Sequence, residues 1–521
     1  MVHQRKGRQF KAYNLFTVFA MSFGSLSFGY SNNIISTTLA QPTFNEYFAL
    51  KTRSNGTQLT GVMNGGFHAA AFCAVLFVGT IADKWGRKVA ISVGAALTLF
   101  AGAFLSGSVN VAMFIVFRLV SGAGSSILLA GVPIWMNEVV PAKERGMLVD
   151  IHGAVFQFGF ALASWVGYGF YYLSNDTINA WRGPLVFENE VDRKAAFQCL
   201  PPIIILSIIY WLPESPRWLL MNDRYEEARQ ILLRSHSEEE AVVELAQIQA
   251  QMQIDRTLDR SYLHMFKKPS YRKRSLLAIF TCCMANCSGI LVVNTNVISY
   301  QDYGPTIYAS LGYDSSKQLL LSSIWSTFSV FCSFVGITFV DRISRPRLLM
   351  IGLGGCMSTL IVLAALVANF GPGTNNHNTA ALKACVAMIF IYAFFWSAVL
   401  SGTQFVYCGE LFPSHLRAKG LSLGVAGINA ANVLFLTAAP TAFATIGWKY
   451  YLLFIILSGI SIVVIGFKWP DTNGVPLEEI SRLFGDDDEV YIANNESKLE
   501  HIEMETKHDL AATQGEIEHH E

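Results

Sequence analysis

The sequence predicts an all-α membrane protein of twelve transmembrane helices arranged as two pseudo-symmetric six-helix bundles. Three observations predict it. Hydrophobic types make up 52% of the 521 residues and charged types only 15%, against about 25% charged in soluble domains. Twelve predominantly apolar runs approach the roughly 20 residues needed to cross a bilayer. The charged loops of the first six runs recur in the second six.

Residues 1–12 form a basic N-terminus carrying Arg5, Lys6, Arg8 and Lys11. The apolar run that follows is too long for a signal-peptide core and has no clear small-residue cleavage site, so it reads as a retained first helix. The runs lie at 13–38, 58–82, 89–108, 111–136, 147–173 and 197–213, then 275–310, 317–340, 348–369, 381–406, 417–440 and 448–468. They divide the chain into bundles at 13–213 and 275–470. The polar stretch 214–274 between them reads as a linker of short amphipathic helices. Glu226, Glu227 and Arg229 fit a solvated face there. The tail 471–521 is acidic around Asp486–Glu489, is expected to be disordered, and carries only scattered histidines.

Lys/Arg placement sets the orientation. With both termini on one side, that side holds 29 of the 38 Lys and Arg residues and the other holds eight; Arg118 lies within a helix. Both termini are therefore expected in the cytoplasm. The sequons Asn55-Gly-Thr and Asn175-Asp-Thr then fall outside, consistent with a glycoprotein. The nine cysteines all sit in apolar runs without metal-ligand spacing and read as buried small hydrophobes. Equal numbers of basic and acidic residues give no sign of a nucleic-acid partner. No cofactor or metal site is indicated. The absence of HExxH, of Gly-x-Ser-x-Gly and of any Gly-Lys dipeptide argues against an enzyme or an ATP-driven pump.

The repeat is explicit. Glu138-x-x-Pro141-x-x-x-Arg145 follows the fourth run and Glu410-x-x-Pro413-x-x-x-Arg417 the tenth. Asp83-Lys-Trp-Gly-Arg87-Lys88 joins runs two and three, and Asp341-Arg-Ile-Ser-Arg345-Pro-Arg347 joins eight and nine. A duplicated six-helix unit is the architecture of secondary transporters. Together with Arg118-x-x-x-Gly122-x-Gly124, Pro213-Glu-Ser-Pro-Arg-Trp218 and Pro440-Thr-Ala-Phe, these loops resemble the sugar porter family of the major facilitator superfamily, its fungal members in particular. The resemblance covers roughly residues 13–480. It implies the major facilitator fold, a sugar substrate (a monosaccharide first), alternating access and a plasma-membrane location.

It also implies roles. Asp83, Arg87, Glu138 and Arg145, with Asp341, Arg345, Glu410 and Arg417, are expected to gate the cytoplasmic end. Carboxylate–guanidinium pairs there can form bidentate bonds between helices. Ser344 and Pro346 depart from the usual pattern, which weakens the second latch. A neutral sugar calls for amides, hydroxyls and an aromatic face. Asn286 aligns with one amide of the family's paired-glutamine motif, and Asn294 lies two turns on. Phe405 matches a sugar-contacting aromatic. Asn429 and Asn432 share one helix face, and Gln157 lies in helix five beside His152. On sequence alone each asparagine reads equally as binding site or as interhelical glue, and His152 reads as a packed residue. The stretches 183–194 and 295–301 look inserted relative to the family.

Proton-coupled relatives carry an aspartate after Phe-Gly-Tyr in helix one; here Ser31 follows Tyr30. Serine does not titrate near neutral pH, so facilitated diffusion is expected. Arg118 then needs a watery helix end or backbone carbonyls. Asp150 is the residual candidate proton site, which keeps proton symport open. A sugar sensor on the same fold is the reading from another class.

Overall fold

The computed structural model describes residues 12–486, leaving out 40, 51, 54, 141–144, 174–179, 183–196, 236–237, 256–257, 292, 294–314, 341, 371–377, 414 and 474–479. The first run is two helices, α1 (Ala12–Met21) and α2 (Phe23–Leu39). They part at Ser22, whose hydroxyl donates back to the Val18 carbonyl at 2.7 Å. Next come a short α3 (Pro42–Tyr47), α4 (Gly56–Trp85), α5 (Arg87–Ser106), α6 (Val111–Val139), α7 (Arg145–Leu173) and α8 (Leu200–Ile208). Four helices form the linker: α9 (Pro216–Met221), α10 (Tyr225–Ser235), α11 (Glu238–Asp255) and α12 (Tyr262–Lys267). The second bundle holds α13 (Pro269–Cys287), α14 (Ser315–Ile337), α15 (Arg345–Phe370), α16 (Thr379–Phe395), a π-helical turn at Trp396–Leu400, α17 (Thr403–Glu410), α18 (Arg417–Ile446) and α19 (Tyr450–Lys468).

Among the described residues nine helices are long and apolar enough to span a membrane, counting α16 through α17 as one. The other three predicted runs are present but differ in composition. α2 fills its buried face with Ser25, Ser27, Ser31, Thr37 and Thr38; α8 is short; α13 opens with Arg272, Lys273 and Arg274. α13 also corrects the expected 275–310 helix. It starts earlier, at a proline suited to a helix first turn, and its first segment stops at Cys287; helix resumes at Ile290, and the expected run beyond 293 lies outside the described residues. Gly289 (φ +104°) breaks it, in a conformation that only glycine adopts freely, and a Cβ there would lie 2.5 Å from Leu360.

Part of the tail, 480–486, departs from its expected disorder as well; residues 487–521 lie outside the described residues. Ile480–Phe484 forms a 3-10 turn with Ile480 buried. Asp486 is held by Arg274 at 2.7 Å and Lys268 at 2.7 Å, while the Phe484 ring lies 4.6 Å from the Arg274 guanidinium. The charges at the start of α13 recruit the acidic segment. Seven cysteines are buried or half-buried inside the bundles, Cys283 is intermediate, and Cys73 is exposed on α4, against expectation. The linker has its own small core of Leu219, Leu232, Leu245 and Ile248.

Within the first bundle backbones approach closely at small residues, as membrane helices require. A Cβ on Gly29 would meet the Phe156 carbonyl at 2.0 Å, and one on Gly122 the Phe67 carbonyl at 2.1 Å. Between bundles, α4 packs on α18 and α7 on α14. Gly65 faces Thr437 near one end of the α4–α18 seam and Gly79 faces Lys419 near the other. Phe77, Phe100, Phe331, Ile456 and Val463 are exposed on the outer surface, where a bilayer would cover them.

Candidate functional site

At the basic end each bundle closes its own clasp. Arg87, first residue of α5, makes a bidentate bond to Glu138 at the end of α6 (2.8 and 3.0 Å) and reaches Asp83 at 3.4 Å. Ser215 donates to the same Glu138 at 2.5 Å, and Trp135 donates to the Pro213 carbonyl at 2.9 Å. Glu214 accepts from the Arg87 and Lys88 backbone N–H groups at 3.2 and 3.1 Å, capping α5. Burial pushes the Glu214 carboxyl up from its ordinary range despite those donors. The second bundle repeats the pattern. Arg345 bonds Glu410 at 3.2 and 2.9 Å, Thr472 donates to Glu410 at 2.7 Å, Tyr407 donates to the Pro470 carbonyl at 3.2 Å, and Asp471 accepts from the Arg345 N–H at 3.3 Å. Pro213-Glu-Ser215 and Pro470-Asp-Thr472 are thus structural equivalents. The likeness of those two tripeptides was the available signal for a third repeated element.

These clasps lie inside bundles. The tie across them comes from Lys419, outside the predicted set. Its ammonium sits 3.3 Å from Asp83 and donates to the Arg260 carbonyl of the linker at 2.6 Å. Arg417 is fully buried and within electrostatic range of Glu138. Arg145 begins α7, but its side chain lies outside the described residues, as does Asp341.

Midway between the ends, residues of both bundles enclose a cavity of about 160 Å³. Asn286, Phe405 and Asn432, all predicted, line it. Gln157 is placed behind the wall, its amide 3.4 Å from the Ser397 hydroxyl across the bundle interface. Asn429 is also behind the wall, 3.2 Å from His68. Asn294 lies outside the described residues. Gln404, His68, Trp325 and Trp396 line the cavity and were not anticipated. A lone histidine in an apolar transmembrane run is itself a functional signal, and His68 carried it. Towards the opposite end, Trp165 donates to Thr327 at 2.8 Å and the Ser164 and Ser326 hydroxyls lie 3.3 Å apart, so cross-bundle contacts flank the cavity on both sides.

Arg118 donates to the Ser31 and Asn32 carbonyls at 2.6 and 3.2 Å and lies 4.1 Å above the Phe67 ring. Carbonyl solvation is the second of the two environments expected for it. Asp150 is buried under α17, where a Cβ on Gly402 would lie 1.2 Å from its carboxylate; it is not part of the cavity lining. His152 packs between Phe156 and Phe405 and meets the Ser25 hydroxyl at 2.6 Å.

Two helical bundles that each lock internally, share a partly open cavity lined by amides and aromatic rings and meet along two helix pairs define a membrane carrier of the major facilitator type. The family model "Sugar (and other) transporter" matches residues 17–484, and the chain belongs to that family: it is a multi-pass membrane transporter, not an enzyme. It is 31% identical over 490 residues to the MFS-type transporter criB of Aspergillus cristatus, covering 92% of this chain and 96% of that one. It is 26% identical to a high-affinity glucose transporter of Kluyveromyces lactis (91% and 86% covered) and 28% to a quinate permease of Neurospora africana (89% and 87%). Among solved structures, the proton:xylose symporter XylE bound to 6-bromo-6-deoxy-D-glucose superposes with a TM-score of 0.77 at 22% identity, covering 91% of this chain and 99% of that one.

Proposed function

We propose that this carrier moves a neutral, polyhydroxylated solute, a monosaccharide first, across the plasma membrane by facilitated diffusion. The observation that carries the reading is the cavity wall. Amides (Asn286, Asn432) and aromatic faces (Phe405, Trp396) line it; its described lining contains no carboxylate, and the one guanidinium in it, Arg118, is engaged by the Ser31 and Asn32 carbonyls. Such a wall can bond hydroxyls and stack on the apolar face of a sugar ring. Asn294, Gln157 and Asn429 belong to the same proposed site, Asn429 through His68 and Gln157 as a cross-bundle contact to Ser397 behind the wall. Facilitation is supported by Ser31, a hydroxyl where proton-coupled relatives carry an acid.

Alternating access follows from the two clasps. Asp83, Arg87, Glu138 and Arg145, with Asp341, Arg345, Glu410 and Arg417, are proposed to keep each bundle rigid while the interface between bundles opens at one end and then the other. Both termini are proposed to be cytoplasmic, on the strength of the Lys/Arg asymmetry. On that orientation Asn55, exposed at the start of α4, falls on the outer side.

The test is uptake of a labelled panel (hexoses, pentoses, polyols, quinate) in cells lacking their own sugar carriers, with and without a protonophore. Saturable uptake that ignores the protonophore supports facilitation. Protonophore-sensitive uptake at controlled ATP establishes symport, the second reading, favoured by the likeness to the proton:xylose symporter. Surface expression without uptake of any panel member points to a sensor. Asn286→Ala is expected to lower uptake at unchanged surface expression; unchanged kinetics would remove Asn286 from the site.

A further inference from the structure

Resting on the reading of the cavity as a hydroxylated-solute site, we propose that Gln404 is a direct acceptor for one substrate hydroxyl and that His68 is the positioning residue that holds Asn432 as a second acceptor. Gln404 on α17 and Asn432 on α18 line the cavity at 2% and 6% exposure. Each has its amide nitrogen engaged. Gln404 Nε2 donates to the Ser401 carbonyl at 3.1 Å, and Asn432 Nδ2 meets His68 Nδ1 at 3.3 Å. Each leaves its amide oxygen buried with no hydrogen-bond partner among the described residues.

Anchoring by nitrogen decides what the wall offers. Turning the Gln404 amide around would bring its oxygen against the Ser401 carbonyl, so its free end is an acceptor; the free end of Asn432 is an acceptor when His68 Nδ1 is bare. A buried amide oxygen without a donor is costly, and a solute hydroxyl entering the cavity supplies the donor. The wall therefore selects for O–H groups that donate. A fluorine or an ether oxygen of similar size does not meet the requirement.

His68 sets the second acceptor from the other bundle. Its Nδ1 is also 3.2 Å from Asn429 Oδ1, while Asn429 Nδ2 donates to the Val425 carbonyl at 3.1 Å. One ring nitrogen cannot accept from Asn432 and donate to Asn429 at once. The proposal assigns His68 the tautomer with its proton on Nε2, whose bare Nδ1 accepts from Asn432; the other tautomer would donate to Asn429 and turn the Asn432 amide, and a second ring position that tolerates fluorine in wild-type protein would overturn this half of the proposal. His68 thereby couples α4 to the acceptor geometry of α18.

The experiment is binding to the purified full-length protein, read by quenching of tryptophan fluorescence, since Trp325 and Trp396 line the cavity. The probes are D-glucose and the series in which one hydroxyl at a time is replaced by hydrogen or by fluorine. Wild-type protein is expected to lose about tenfold in affinity at the same one or two ring positions for both replacements, the size of one neutral hydrogen bond. Gln404→Leu is expected to bind D-glucose about tenfold more weakly yet bind one fluoro analogue as wild type does. His68→Leu should match Asn432→Leu at a second ring position, and His68→Asn, whose amide mimics Nδ1, should restore it. Wild-type binding of fluoro analogues as tight as D-glucose, or a Gln404→Leu loss equal for every analogue, overturns the proposal. D-Glucose binding that survives Gln404→Leu unchanged sinks this inference alone. Wild-type protein that binds no member of the series sinks the monosaccharide reading with it.

Discussion

Replacing Lys419 by methionine should unlatch the basic end. The Lys419–Asp83 pair spans 3.3 Å with side chains 10% and 15% exposed. At an effective dielectric constant of 20 the gross attraction is about 5 kcal/mol. Desolvation and side-chain ordering return much of it. Exposed pairs net about 0.2–1 kcal/mol, and breaking fully buried ones costs about 3–5. This nearly buried pair, with the added bond to the Arg260 carbonyl, falls near 2 kcal/mol. That corresponds to roughly a 30-fold shift of the equilibrium toward an open basic end. The assay is hydrogen exchange by mass spectrometry on protein in lipid nanodiscs. Peptides covering 76–86 and 415–424 should exchange faster in Lys419→Met, while those covering the Trp165–Thr327 contact should not. In a cycle with Asp83→Asn the double variant should be no more open than Lys419→Met alone. Unchanged exchange in the single variant, or strictly additive effects in the double, would refute the assignment of the cross-bundle tie to this pair.

Other expectations follow from neighbouring contacts. Glu138→Gln keeps the shape but removes the charge that Arg87 and Ser215 bind; stability should fall by about 3 kcal/mol, read as a lowered thermal midpoint in detergent. Gly122→Leu drives a side chain into the Phe67 carbonyl and should cost about 1–3 kcal/mol or more, seen as loss of monodisperse protein; Gly169→Leu, open around its Cβ, is the control. Asp486→Asn removes the anion that holds Lys268 and Arg274; limited trypsin digestion should then cut at Arg482 faster, and an unchanged cleavage rate would mean that Phe484 and Ile480 suffice to dock the segment.

Much of this was readable from the chain, for physical reasons. Twelve apolar runs and the recurring Glu-x-x-Pro-x-x-x-Arg loops report burial in lipid and duplication directly, because hydropathy and motif spacing are local properties. Helix limits were less legible. α13 begins among arginines and lysines that hydropathy discards, yet Lys268 and the buried Arg274 are paired with Asp486 and Arg274 is covered by Phe484, a long-range contact invisible in a window of twenty residues. The cavity was half legible. Phe405, Asn286 and Asn432 reach it, whereas Asn429 supports His68, which does, and Gln157 contacts Ser397 behind the wall. The sequence shows that a helix carries a polar group but not which way the helix is turned, and Gln404 and His68 were missed for that reason.

The π-helical turn at Trp396–Leu400 has a consequence for how this chain is compared with others. An α-helix advances about 100° per residue, and a π turn absorbs one extra residue without lengthening the hydrogen-bonded rod in proportion. Everything downstream is re-phased by that angle: Gln404 and Phe405 face the cavity because the count slips before them. Deleting one residue in the turn would restore a regular period and rotate a different pair of side chains inward, leaving the apolar run and the flanking Glu410 motif intact. A single-codon length change could thus rewrite what the carrier accepts while leaving its membrane topology unaltered.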